Sequence, residues 1–353
     1  MALLYCEHLL KYADDADIGT DNLNWTWNNS GGSIASAAGR FGDNALLWTL
    51  DATYWVIPWE AITSSDTLIV NMSIYCELDG VTTPAGKQSI IRLSNATAGN
   101  THFSVVVCGR SGAIGVYGPG DTLLSSGAGF GNARLRNRVW HNIEFKVKMD
   151  DSAGTIDLKV DGITVYSATS KDTRFGTATA MTNLRLGGVE ANMYTDHVII
   201  MDDTGSAFNG FIGDVRLESK VPDADGSSTQ WTASAGSLFQ CVDDALGAYN
   251  DDTDYISETT ADEDALFSFG SFSLTNVSSI KGVWVSALAR TDGTDSLALL
   301  AKSSATTTAS STVALSTAYQ WKGAVYAVDP NGGAAWASAS AINSAEFGVR
   351  RKA

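Results

Sequence analysis

Proline is scarce in this chain, five in 353 residues, and basic side chains are outnumbered by acidic ones, 23 to 39. With 34 glycines and much Thr, Ser and Ala, the low proline content suits many strands joined by tight turns better than long helices. No i, i+3, i+4, i+7 pattern is sustained beyond about three turns, so the chain is expected to be mainly β. The shortage of positive charge leaves a net −16, which repels phosphate backbones and excludes nucleic acid as a partner. No apolar run reaches the roughly 18 residues that span a bilayer, so no membrane insertion is expected. Glu7 and His8 interrupt the opening M-A-L-L-Y-C-E-H-L-L where a signal peptide needs its apolar core, and a soluble cytosolic product is expected. Cysteine is sparse as well: Cys6, Cys76, Cys108 and Cys241 show no C-x-x-C spacing, which signals neither a zinc site nor a redox pair and leaves buried thiols as the expectation.

What the chain does have is alternation. From Trp140 to Tyr166, Ile143, Phe145, Val147 and Met149 fall at every second position, and the same period returns at Ile156, Leu158, Val160 and at Ile163, Val165. Asp161-Gly162 is a two-residue connection of the kind that supplies a type I′ hairpin turn, and D-D-S-A-G joins the preceding pair of strands. Three antiparallel strands follow, with one face apolar, so a second sheet must cover them. Upstream, short strands are expected at Leu3 to Tyr12, Ala45 to Leu50, Thr53 to Ile57 and Thr67 to Leu78. They continue through S-I-I-R-L, H-F-S-V-V-V and A-I-G-V-Y, with Asn183 to Gly187 and Thr195 to Met201 closing the set. About a dozen strands at such spacing make a two-sheet jelly roll.

After Trp231 the composition changes. Nine acidic residues and no basic one lie from Cys241 through Asp264 itself, which reads as a solvated loop at 243–264. Strands resume at Leu266 to Leu274, Gly282 to Ala289, Ser296 to Ala301, Thr312 to Leu315 and Tyr319 to Val328. One or two helical turns in A-S-A-S-A-I-N-S precede the last strand. The expected fold is all-β: a jelly-roll sandwich over 1–215 and a second, smaller β-sandwich over 216–353.

The strand order, the W-H-N-I-E-F-K-V-K strand and the L-K-V-D-G-I-T-V-Y hairpin resemble the concanavalin A-like or laminin-G-like jelly roll. The connecting strand F-I-G-D-V-R-L-E at 211–218, the Pro- and Asp-Gly-containing turn V-P-D-A-D-G at 221–226, Trp231, D-P-N-G-G-A-A-W at 329–336 and E-F-G-V at 346–349 are similar to a group of bacteriophage virion proteins. That resemblance covers essentially the whole chain. It implies a structural component of a phage virion, a tail or tail-fibre protein in contact with the host, made in the host cytoplasm and present in several copies or as a homo-oligomer beside other virion proteins. It also implies an assembly role for the C-terminal β-rich domain. The alternatives are a capsid-decorating protein and a carbohydrate-binding module that takes a host surface glycan.

Chemistry is thinly signalled. Trp48, Trp55 and Trp59 cluster in sequence and are the candidate sugar-stacking platform, although core is the more frequent use of large aromatics. Glycoside hydrolysis needs paired carboxylates on one strand face, and neither E-x-D-x-x-E nor E-x-D-x-E occurs; no G-x-S-x-G elbow is present either, so no enzymatic activity is expected. G-A-G-F-G at 127–131 lacks the setting of a nucleotide loop. Asp223 and Asp225 in D-A-D-G make half a calcium loop, but Ser234 stands where the twelfth-position Glu belongs; Asp202 and Asp203 after a strand are the other candidates for calcium. Acidic turns in an acidic protein are the plainer account of all four.

Overall fold

The computed structural model describes residues 3–7, 26–28, 32–48, 54–58, 65–80, 87–94, 101–108, 111–124, 134–174, 183–187, 192–245, 248–250, 252–272 and 277–353. Strand accounts for 51% and helix for 5%, so the chain is all-β. It divides into two compact units, Met1–Leu217 and Glu218–Ala353.

Fifteen strands of the first unit are described. They are β1 (Leu3–Glu7), β2 (Thr26–Asn28), β3 (Gly32–Ala35), β4 (Ala45–Trp48), β5 (Tyr54–Pro58), β6 (Thr67–Cys76), β7 (Lys87–Ser94) and β8 (Thr101–Cys108). They continue with β9 (Ala113–Gly118), β10 (Thr122–Leu123), β11 (Trp140–Lys148), β12 (Gly154–Val160), β13 (Ile163–Lys171), β14 (Asn183–Gly187) and β15 (Met193–Met201). One sheet has eight strands in the order β13-β12-β11-β6-β15-β4-β3, with β1 also paired to β15; the other has seven, β10-β9-β8-β7-β14-β5-β2. All pairings are antiparallel, and in each sheet a late strand is inserted between two early ones, β15 between β6 and β4 and β14 between β7 and β5. This is the jelly-roll arrangement. The expected hairpin is present: Val160 pairs with Ile163, and Asp161 and Gly162 take φ of 51° and 77°.

The alternating apolar residues meet between the sheets. Leu68, Val70, Met72 and Ile74 of β6 join Ile143, Phe145 and Val147 of β11, all at 0% exposure, in one core with Leu93, Phe103, Val105, Leu184 and Leu186 of the other sheet. Phe103 and Phe145 stack across the sandwich, centroids 4.9 Å apart, a contact worth about 0.5–1.5 kcal/mol beyond its buried area. β15 carries a bulge between Asp196 and Ile199, with His197 at φ 51°. The extra residue shifts the alternation by one, so that Thr195 and then Val198 and Ile200 turn inward.

In the second unit, β16 (Pro222–Thr229), β17 (Thr232–Ala233), β18 (Ile256–Ser257), β19 (Asp264–Phe269), β20 (Val283–Ala289) and β21 (Ser296–Ser303) come first. β22 (Thr306–Ala309), β23 (Val313–Ala314), β24 (Gln320–Tyr326), the short helix α1 (Ala339–Asn343) and β25 (Glu346–Lys352) follow. A six-stranded sheet, β16-β19-β25-β21-β22 with β23 on β21, shares one core with the β20-β24 ribbon and α1. Trp336, from the D-P-N-G-G-A-A-W turn, is buried in it and donates its indole N–H to the Tyr326 carbonyl at 2.9 Å.

Three expectations are corrected. V-P-D-A-D-G is an edge strand rather than a turn, because a first-position proline and an exposed Asp223 cost an edge little. F-I-G-D-V-R-L-E is not a strand but an irregular strap. The acidic stretch is not simply solvated: Asp252 pairs with Arg290, Asp262 with Lys352, and Asp264 with Arg350 at 2.5 Å. The strands expected from alternation also lack β22, whose Thr-Thr-Thr-Ala has no alternation to read.

Candidate functional site

The outward face of the eight-stranded sheet carries the candidate site, and strand register lays it out in rows. Trp140 of β11 is opposite Tyr75 of β6, which is opposite Tyr194 of β15. The next row holds Asn142, Ser73 and Asp196, and the one beyond it Glu144 and Asn71. These face away from the core because they occupy the positions between the apolar residues of their strands.

The polar rows are buried all the same, with Asn71, Ser73, Asn142 and Glu144 at 2% exposure or less. The strap is the reason. The Gly213 N–H donates to Glu144 Oε1 at 2.7 Å, and the Gly213 carbonyl accepts from Asn71 Nδ2 at 2.7 Å, while Asn142 Nδ2 donates to Asn71 Oδ1 at 3.0 Å. Gly213 has φ 81°, a conformation that glycine takes without strain. Asp214 is gripped in two-pronged fashion by Arg40, at 2.5 and 2.6 Å, and Arg40 Nη1 also donates to Ser73 Oγ at 3.1 Å. The guanidinium groups of Arg40 and Arg216 both lie over the Phe41 ring, and Lys159 sits over the ring of Phe211.

At the β15 bulge, His197 stands between two carboxylates, Nδ1 3.0 Å from Asp196 Oδ2 and Nε2 3.5 Å from Asp43 Oδ2. This is the one grouping of metal-ligand type among the described residues. Its two ring nitrogens point to different carboxylates, and Asp196 already accepts from the backbone N–H groups of Arg40 and His197 at 2.9 and 2.7 Å. The imidazole is flanked by a carboxylate on each side, and the Arg40 N–H bond to Asp196 ties the Arg40 turn to the bulge.

The aromatic row is not covered in this way: Tyr75, Trp140 and Tyr194 are each half-buried. Ring centroids are 5.7 Å apart for Tyr75 and Trp140 and 5.5 Å for Tyr75 and Tyr194. Beside them, Asn192 Nδ2 donates to Glu77 Oε2 at 2.7 Å, and Arg138 pairs with Asp79 at 3.3 Å. Burial, followed by the charge of Glu77 and the neighbouring Tyr75, holds the Tyr194 phenol above its ordinary range. Flat apolar faces ringed by hydroxyl, amide and carboxylate groups are what a pyranose ring needs, one for its C–H face and the other for its hydroxyls.

The sequence-based candidates are placed elsewhere. Trp48 is in the core at 0% exposure, its indole N–H donated to Thr195 Oγ1 at 3.0 Å, so it is no platform; alternation along β4 turns it inward. The side chain of Trp55 and all of Trp59 lie outside the described residues. Asp202 caps a turn by accepting from Thr204, and Asp203 accepts from Ser65 at 2.6 Å and Thr67 at 2.9 Å, which hold its carboxyl below the usual range. In the second unit Asp225 accepts from the Phe239 N–H at 2.7 Å, and Asp223 is exposed beside Gly270. None of these four aspartates belongs to the grouping of metal-ligand type among the described residues.

No family model and no curated protein matches the chain. Among solved structures, similar ones include an alginate lyase in complex with an alginate trisaccharide, with 13% identity over 56% of this chain and 97% of that one, TM-score 0.41. Domain 4 of an extracellular arabinanase from Geobacillus stearothermophilus, in complex with arabinotriose, has 15% identity over 57% and 92%, TM-score 0.41. An endo-β-1,4-glucuronan lyase from the fungus Trichoderma reesei has 12% identity over 51% and 92%, TM-score 0.37. The expectation of no enzymatic activity is corrected by these matches. It rested on missing paired carboxylates, a test of glycoside hydrolysis alone, and the similar structures include lyases.

Proposed function

We propose that this chain is a structural component of a phage virion whose jelly-roll unit contacts a glycan on the host surface. The observation that carries the glycan contact is the half-buried row of Trp140, Tyr75 and Tyr194, three aromatic rings from three neighbouring strands with hydrogen-bonding groups at their border. The virion assignment is supported by the resemblance of the junction and C-terminal motifs to phage virion proteins. Two of those motifs have structural work in this chain: G-D-V-R fastens the strap through Gly213 and Asp214, and D-P-N-G-G-A-A-W delivers Trp336 to the second core. Other virion proteins are the expected partners, with the second unit as the assembly domain.

The test is retention of the full chain on immobilised bacterial surface glycans, compared with Trp140→Ala. The expected result is at least tenfold weaker retention for the variant with an unchanged melting temperature. Equal retention of the two, or retention on no glycan, sinks the glycan contact. Labelling of purified particles with an antibody to the chain tests the virion role, and unlabelled particles refute it.

A further inference from the structure

Resting on that reading, the aromatic row can be given a ligand class. Its border is electrically lopsided. Glu77 follows Tyr75 by two residues and Asn192 precedes Tyr194 by two, so both extend the same outward face, and the Glu77 N–H donating to the Asn192 carbonyl at 2.9 Å continues the β6–β15 ladder to them. The Glu77 side chain has the neutral Asn192 amide as its partner at 2.7 Å. Arg138, whose backbone N–H donates to the Cys76 carbonyl, pairs with Asp79, and Arg40 is held by both oxygens of Asp214. Among the described residues, Glu77 is the charge that acts on the Tyr194 phenol, so the row has a negative charge at its border. A carboxylate that keeps an open lone pair accepts a sugar hydroxyl well and repels a second carboxylate.

We infer that the Tyr75–Trp140–Tyr194 face takes an uncharged hexose chain and discriminates against uronates and sialates, with Glu77 as the residue that sets the choice. The amide of Asn192 orients the Glu77 carboxylate, and the rings supply an apolar floor indifferent to charge.

The experiment measures binding of the full chain to two panels, neutral hexose oligosaccharides and uronate- or sialate-bearing ones of equal length, at low and high salt. It uses the natural sequence, Glu77→Gln and Trp140→Ala. The neutral panel should bind better by about fivefold or more at low salt, the scale of one like-charge contact near a surface. Glu77→Gln should narrow that preference, as should salt with the natural sequence, and Trp140→Ala should weaken both panels alike. A preference unchanged by Glu77→Gln, or equal binding of both panels by the natural sequence, overturns the selection while leaving the glycan contact standing. Binding of neither panel overturns the glycan contact and the selection with it.

Discussion

Glu144→Ala tests how firmly the strap belongs to the jelly roll. Glu144 is 2% exposed, and its Oε1 accepts the Gly213 N–H at 2.7 Å, with Asn71 Nδ2 more distant at 3.4 Å. Alanine leaves that part-buried N–H without its acceptor, at a cost of about 1–3 kcal/mol. Glu144→Gln keeps an acceptor oxygen of the same reach and should lose less than half as much. Asp214→Ala breaks a pair whose carboxylate is 49% exposed, so solvent screening limits its loss to about 1 kcal/mol or less. Urea unfolding should find Glu144→Ala the least stable of the three variants, with trypsin cleavage after Arg216, inside the strap, accelerated in the same order. If Glu144→Ala unfolds within about 0.5 kcal/mol of the natural chain, or if the Gln and Ala variants are equal, the strap is not held by this carboxylate.

Four further outcomes follow from other parts of the chain. A Cβ at Gly348 would lie 1.9 Å from the Ala265 carbonyl oxygen, so Gly348→Ala should destroy the second unit's cooperative melting; a full-length variant with both transitions intact would contradict this. Burial pushes the Cys76 thiol up to about 12, so it should resist thiol reagents at pH 8 until the protein unfolds, and labelling of the native chain at Cys76 would count against its placement. The Asp203 carboxyl is held below its ordinary 3.8 by the Ser65 and Thr67 hydroxyls, so its contribution is complete above that value and is lost as pH falls through the lower folded one. Asp203→Asn should therefore flatten the acid side of the stability profile, and an unchanged profile would refute it. Gly323→Ala, whose Cβ would meet the Trp284 ring at 2.0 Å, should shift the tryptophan fluorescence of the native state, and identical spectra would remove that contact.

Much of the fold is legible because it is local. Alternation at Ile143, Phe145 and Val147 and the Asp161-Gly162 turn fix the meander within a stretch of 27 residues, Trp140 to Tyr166. The same alternation places Trp140, Asn142 and Glu144 on the opposite face. What it cannot tell is which strand lies next to β11, and the aromatic row exists only through that neighbourhood: Tyr75 and Tyr194 are far from Trp140 in sequence and meet it through register. The Trp48–Trp59 cluster misleads for the converse reason, since proximity along the chain says nothing about which face each ring takes. Burial of Asn71 and Glu144 is illegible because the covering residue, Gly213, is 142 and 69 positions away. β16 escapes recognition because D-A-D-G has turn composition, and an edge tolerates it.

The insertion of β15 between β6 and β4, and of β14 between β7 and β5, has a consequence for biosynthesis. As the nascent chain leaves the ribosome, β6 and β7 emerge early with their ladders open along one side, and the strands that close them are made roughly a hundred residues later. At ordinary elongation rates that interval is on the order of ten seconds. Throughout it, apolar side chains such as Val70, Met72 and Ile91 stand beside unpaired backbone edges, a surface onto which other strands can add. The jelly roll therefore completes only after translation has passed Met201, and its yield in a cell should depend on how well the unfinished sheets are shielded until then.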